Sequence, residues 1–114
     1  MVSKWEIYFC DLDPTVGSEQ RGIRPVIVIS TNAANHILPV STVLPLSSLK
    51  PGGKTYKSEI LLEKEITGLP KVSVVMIQQI RTVSHARLGN LVGSITDKNA
   101  REKISEACRE YFDL

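Results

Sequence analysis

Residues 5–12, Trp5-Glu6-Ile7-Tyr8-Phe9-Cys10-Asp11-Leu12, set Trp5, Ile7 and Phe9 against Glu6, Tyr8 and Cys10. A period of two is the mark of a half-buried strand. The stretch runs into Asp13-Pro14, where a turn is favoured, and then into Thr15-Val16-Gly17-Ser18-Glu19-Gln20-Arg21-Gly22. That segment is polar, lacks periodicity and reads as a loop. Beyond it, Pro25-Val26-Ile27-Val28-Ile29 is a short β-branched run bounded by Pro25 and by Ser30-Thr31-Asn32. Such a run suits a central strand covered on both faces.

Further strands are expected at Val40 to Leu46, Ser58 to Leu62, Val72 to Ile77 with an extension through Gln79 and Arg81, and Asn90 to Ile95. Leu49-Lys50-Pro51-Gly52-Gly53-Lys54 reads as a basic hairpin tip between the first two of these. Ser84 to Leu88 is expected to make one helical turn. The period then changes. Ala100, Ile104, Ala107, Cys108 and Tyr111 recur at three and four residues with charged residues opposite, which predicts an amphipathic helix capped by Thr96 or Asp97. Five or six short strands and a terminal helix predict a mainly β fold, a small barrel or strongly bent sheet. With 114 residues and no linker, repeat or low-complexity tract, residues 1–114 are expected to form one domain.

Composition narrows the function. Hydrophobic residues make up 42% and aromatic residues 5%, so the core must be aliphatic. No apolar run approaches the roughly 18 residues of a membrane helix, and Met1 to Glu6 is unlike a secretory signal, so the expected location is the cytoplasm, with no membrane partner. Cys10 and Cys108 stand near opposite ends, His36 and His85 far apart, without metal-ligand spacing, so no metal and no cofactor are expected. The net charge of +2 does not by itself mark a nucleic-acid binder, although Lys50, Lys54 and Lys57 cluster and Arg21 lies near Arg24. Phosphate-binding glycine motifs, zinc motifs and a serine triad are not found. Asp11 and Asp13 could pair as carboxylates or simply end a strand.

The segment Gly17 to Pro25 places two arginines, a carboxylate and an amide just before a buried strand. Pro25 biases Arg24 to an extended backbone, and the strand behind it would hold the guanidinium in place. From the residues alone, Arg24 could equally pair with Glu19 or Asp11 at a strand end.

Asp13-Pro14-Thr15, Gly17-Ser18-Glu19-Gln20, Gly22 and Arg24-Pro25-Val26, followed by Val28-Ile29-Ser30, resemble the opening motif of the MazF/PemK toxins, sequence-specific endoribonucleases of bacterial toxin–antitoxin pairs. Val43-Leu44-Pro45-Leu46-Ser47-Ser48 and Gln79-Ile80-Arg81-Thr82 resemble two later motifs of that family. The resemblance implies a compact SH3-like barrel of the MazF/PemK/CcdB toxin type, a homodimer, and metal-independent cleavage of single-stranded RNA. Attack of the ribose 2′-hydroxyl on phosphorus would leave a 2′,3′-cyclic phosphate and a 5′-hydroxyl. A cognate antitoxin with an acidic, flexible C-terminal segment would occupy the same groove.

On that resemblance, Arg24 matches the catalytic arginine, Ser47 stands where threonine is usual, and Glu19 matches a proposed base. A guanidinium is a poor base and suits electrostatic stabilisation of a phosphorane. RNA contacts are expected from Gln20, Arg21, Ser48, Lys54, Lys57, Gln78, Gln79 and Arg81. Aromatic platforms are scarce, and no base stacking is assigned. The alternative is a non-enzymatic toxin of the same fold that poisons DNA gyrase through C-terminal residues including a tryptophan. Here the one tryptophan is Trp5, and the chain ends Tyr111-Phe112-Asp113-Leu114.

Overall fold

Among the described residues seven strands and three α-helices follow in order: β1 (Glu6–Asp11), β2 (Ile23–Val28), α1 (Asn32–Asn35), β3 (Val40–Ser48), β4 (Glu59–Leu62), α2 (Lys64–Thr67), β5 (Ser73–Met76), β6 (Arg81–Ser84), β7 (Leu88–Ser94) and α3 (Lys98–Phe112). The computed structural model describes residues 1–49 and 52–114. The sheet runs β4-β5-β3-β2-β1-β7, with β6 paired to β3 off this path, and its end strands β4 and β7 leave the barrel open. Every ladder is antiparallel.

β2 is central, as its sequence predicts, with Val26, Ile27 and Val28 fully buried. Alternate residues serve two aliphatic cores. Ile7, Ile27, Leu44 and Leu46 join Ile95 and Ile104 on one face. Cys10, Leu12, Val26, Val28 and Val43 join Val83 on the other. The alternation in β1 does not say which set is covered: Cys10 is fully buried, whereas Phe9, on the side of Ile7, is 40% exposed. The period of two is intact, but both faces are covered, and Phe9 lies beyond the reach of the first core.

β3 is the hub. Its residues 43–45 pair with β2, while along its other side Val40–Val43 meet β6 and Leu46–Ser48 meet β5. β5 and β6 thus follow one another along β3 and do not form the single strand expected through Gln79 and Arg81. A 3₁₀ turn, Ile77–Gln79, separates them, with Ile77 buried in the core. The turn absorbs a slip in register and throws Gln78 and Gln79 outward.

The hairpin expected around Leu49 to Lys54 is not formed, because β5 lies between β3 and β4. Lys50 and Pro51 of that segment lie outside the described residues. The helical turn expected at Ser84 to Leu88 is a 3₁₀ turn, His85–Arg87.

Helix α3 starts at Asp97, whose Oδ2 accepts the Ala100 N–H at 2.9 Å and satisfies an N-terminal donor. Ala100 and Ile104 face the core, but Tyr111, expected on the same stripe, is 47% exposed because the helix runs past the sheet. Trp5 ties the ends together. Its N–H donates to Val28 O at 2.7 Å, its carbonyl accepts from Ile95 N at 2.8 Å, and its ring lies between Lys4 and Arg101. These contacts hold its unusual φ of 75°. Among the described residues no helix is long and apolar enough to cross a membrane.

Candidate active site

The β2–β3 ladder sets the site. Val26 lies opposite Pro45, so Arg24 and Ser47, each two residues further along antiparallel strands, fall on the same face at the same end. Both line one open cleft of about 570 Å³. Among the described residues three cationic ones, Arg21, Arg24 and Lys71, and three serines, Ser47, Ser48 and Ser73, line this cleft, and no carboxylate residue does. Phe9, Ile23 and Leu69 supply an apolar wall. Fixed cations and hydroxyl donors facing a low-dielectric wall suit a phosphodiester.

Arg24 is half-buried, and its Nε donates to the Arg21 carbonyl at 2.9 Å. Arg21 in turn donates from Nη2 to Gly17 O at 3.1 Å. Gly17 and Gly22 have φ of 58° and 81°, which the turns of this loop require and glycine adopts freely. The ion pair of Arg24 with Glu19 or Asp11 that the sequence left open is not formed. Among the described residues the ion pairs are Lys57–Glu110 and Arg109–Glu106. Asp11 accepts the Asp13 N–H and Asp13 the Thr15 hydroxyl, as at a strand exit.

Glu19 is not brought into the Arg24 cleft. It lines a neighbouring one of about 260 Å³ with Gln20, Gln78, Gln79 and Arg81, and its Oε1 accepts the Val16 N–H at 2.6 Å. Gln79 staples the loop to the 3₁₀ turn. Its Oε1 accepts the Gln20 N–H at 3.2 Å, and its Nε2 donates to Ser18 O at 3.0 Å. Gln20 Oε1 is buried without a hydrogen-bond partner among the described residues. Such an acceptor costs about 1–3 kcal/mol until a donor reaches it.

Arg81 donates to Leu12 O, and Arg87 to Asp11 O and Asp13 O, so two arginines brace the base of the loop. Gln78 is held between Ser58 and Glu59 Oε2. Lys54 lines a third cleft that shares Ser47 and Ser48 with the first. Lys57 stands apart, paired with Glu110 at 2.8 Å, and that contact raises its pKa.

Sequence reasoning missed Lys71, Ser73 and Phe9 as lining residues. Only Phe9 gave a signal, as an aromatic residue that an alternating strand leaves on its exposed end. Among the described residues no three His, Cys, Asp or Glu side chains gather as metal ligands. Cys10 and Cys108 are free thiols whose pKa values burial pushes up.

Comparison with known proteins gives this arrangement relatives. Endoribonuclease EndoA of Bacillus subtilis is 32% identical over 107 residues, covering 94% of this chain and 90% of the relative. The fold matches a crystal structure of MazF from Deinococcus radiodurans with TM-score 0.83 at 19% identity, over 99% of this chain and 97% of that one. It also matches a mycobacterial endoribonuclease solved in complex with its cognate antitoxin, with TM-score 0.79 at 21% identity, over 100% of this chain and 97% of that one. Residues 3–112 match the sequence model of the PemK-like, MazF-like toxins of type II toxin–antitoxin systems, and to that family the chain belongs.

Proposed function

We propose that the chain is the toxin of a type II toxin–antitoxin pair and acts in the cytoplasm as a metal-independent, sequence-specific endoribonuclease on single-stranded RNA. The observation that carries this reading is the Arg24 cleft, in which three cationic residues and three hydroxyls meet with no opposing carboxylate. The endoribonuclease named among the relatives covers nearly the whole chain. The gyrase alternative is disfavoured on the same ground, and Trp5 packs at the N-terminal end against Lys4 and Arg101.

In the proposed reaction the 2′-hydroxyl attacks the adjacent phosphorus. The new 2′-O–P bond closes a cyclic phosphate, the P–O5′ bond breaks, the 2′ proton goes to a base and the 5′-oxygen gains a proton. The chemistry requires RNA, since DNA lacks that nucleophile. Arg24, anchored through Nε, directs its terminal nitrogens at the phosphoryl oxygens, where negative charge grows. Ser47 donates a hydroxyl hydrogen bond to the same group.

Glu19, which lines a separate cleft and accepts the Val16 N–H, is the candidate proton acceptor and must swing across the loop to reach the 2′-hydroxyl. Arg21 and Ser48 contact the backbone nearby. Lys54 follows the strand, Lys57 does so only on leaving Glu110, and Gln20 and Arg81 meet base edges, joined by Gln78 and Gln79 where their amides exchange protein partners for the base. An acidic antitoxin segment is the natural competitor for a cleft without carboxylates, and the functional unit is a homodimer of one-domain chains.

The test is incubation of the purified protein with a long RNA in EDTA, followed by mapping of the breaks and their ends. Cuts at a recurring short sequence, leaving cyclic phosphate and 5′-hydroxyl, are expected. An intact RNA alongside inhibited gyrase supercoiling would replace this reading with the alternative.

A further inference from the structure

A second cleft, of about 470 Å³, opens between residues 56–58 and the end of α3, walled by Tyr56 and Tyr111. The two rings are 74% and 47% exposed. Glu59 fixes the backbone of Tyr56, and Tyr111 has an aromatic neighbour. Tyr56 N donates to Glu59 Oε1 and Tyr56 O accepts from Glu59 N, each at 2.9 Å. Tyr111 is braced by the edge of Phe112, with ring centroids 5.3 Å apart at 83°. The Lys57–Glu110 ion pair joins the 56–58 segment to the helix across the cleft. An exposed pair adds little stability. What it does here is keep the two aromatic walls in register.

The lining favours a flat, polar-edged occupant. Apart from the two phenol rings it offers, among the described residues, Ser58, the Lys57–Glu110 pair and Ala107, with no large aliphatic side chain that would grip an apolar peptide. A third cleft lies between this one and the Arg24 cleft, sharing residues with the latter and linked to Tyr56 through Glu59. Ser47 and Ser48 line both the Arg24 cleft and the Lys54 cleft. Glu59 lines the Lys54 cleft and grips Tyr56 with one oxygen.

We propose that the Tyr56–Tyr111 cleft is a remote nucleotide subsite, in which a base of single-stranded RNA stacks on the tyrosines while its backbone crosses Lys54. This rests on the ribonuclease reading and adds to it a site for a nucleotide outside the cleaved step. Stacking accepts any base. The subsite therefore adds affinity for longer RNA without narrowing the recognised sequence.

The experiment compares a short RNA spanning only the mapped cut with one extended on both sides. Cleavable forms give KM and kcat. Forms with a 2′-deoxy nucleotide at the cut give Kd by fluorescence anisotropy. The extended RNA is expected to bind the unmodified protein about five- to a hundredfold more tightly than the short one, the range of a stacked base. In Tyr56→Ala and Tyr111→Ala that advantage shrinks towards one, and in Tyr56→Phe and Tyr111→Phe it persists.

An equal loss for short and extended RNA, or none for either, overturns the subsite while the nuclease reading stands. Altered self-association or antitoxin affinity with RNA binding untouched also overturns it and assigns the cleft to a protein contact. Binding of the deoxy RNAs while the cleavable forms stay uncut defeats the nuclease reading alone, and the Kd ratio still decides the subsite. A protein that binds neither RNA defeats both.

Discussion

Replacing Arg24 tests the site most directly. Its Nε is committed to the Arg21 carbonyl at 2.9 Å, which leaves the two terminal nitrogens as donors to the phosphate. Two charge-assisted hydrogen bonds of about 1.5–3 kcal/mol each give about 3–6 kcal/mol of transition-state stabilisation. Arg24→Ala is therefore expected to lower kcat by about 10²- to 10⁴-fold. Arg24→Lys retains a charge but loses both the planar fork and the Nε anchor, and is expected to fall about 10- to 100-fold.

Stability changes little by comparison. Arg24 is half-buried and makes one hydrogen bond to the Arg21 backbone, worth less than about 1.5 kcal/mol. The assay is single-turnover cleavage of saturating RNA in EDTA, with thermal unfolding run on the same preparations. Cleavage by the alanine variant within about threefold of the unmodified protein would refute the role of the guanidinium in the reaction.

Four further outcomes are expected. Glu19→Gln preserves an acceptor for the Val16 N–H yet cannot take a proton, so kcat should drop about 10²- to 10⁴-fold; an unchanged kcat would reduce Glu19 to a loop-shaping residue. Gln79→Ala removes both bonds to the 18–20 loop, and amide exchange at Ser18 to Arg21 should accelerate while exchange in β2 stays slow. Leu44→Ala, in the centre of the first core, should cost about 2–5 kcal/mol in denaturant unfolding with little change in KM.

Tyr8 provides the pH test. Burial, then its 2.8 Å hydrogen bond to Glu6 and that residue's charge, push its pKa up to about 12. The folded chain holds this proton where the unfolded chain, titrating near 10, releases it. Stability should therefore fall as pH rises from about 10 through 12, and Tyr8→Phe should flatten that part of the curve relative to the unmodified protein.

The parts of the fold legible in the sequence are those that local chemistry specifies. The β-branched run at Val26–Val28 marks the central strand, the Asp97 cap and the Ala100–Ile104 spacing mark α3, and the turn after Ser84 is where the sequence places it. Pairing decides the rest. Nothing in Val40–Ser48 says that one strand takes β2 on one side and both β5 and β6 on the other. The Ile77–Gln79 turn is a product of that shared side, with no glycine or proline to announce it.

The same holds for the candidate site. Arg24 and Ser47 stand out by motif, and the ladder register explains why they share a face. Lys71 and Ser73 enter the cleft only because β5 docks beside the end of β3 at Ser48. Glu19 looks adjacent to Arg24 in sequence, yet the Gly17 and Gly22 turns carry it to the other side of the loop.

The pairing of β1 with β7, and of Trp5 with Ile95, bears on how this chain is made. While a ribosome still holds the β7 and α3 segments in its exit tunnel, Ile7 and Ile27 lack their cover from Ile95 and Ile104. The strands that carry Arg24 and Ser47 then have no finished core to rest on. A product released before β7 and α3 emerge would be food for proteases and no threat to its host, so harmful activity would be confined to copies that include both elements.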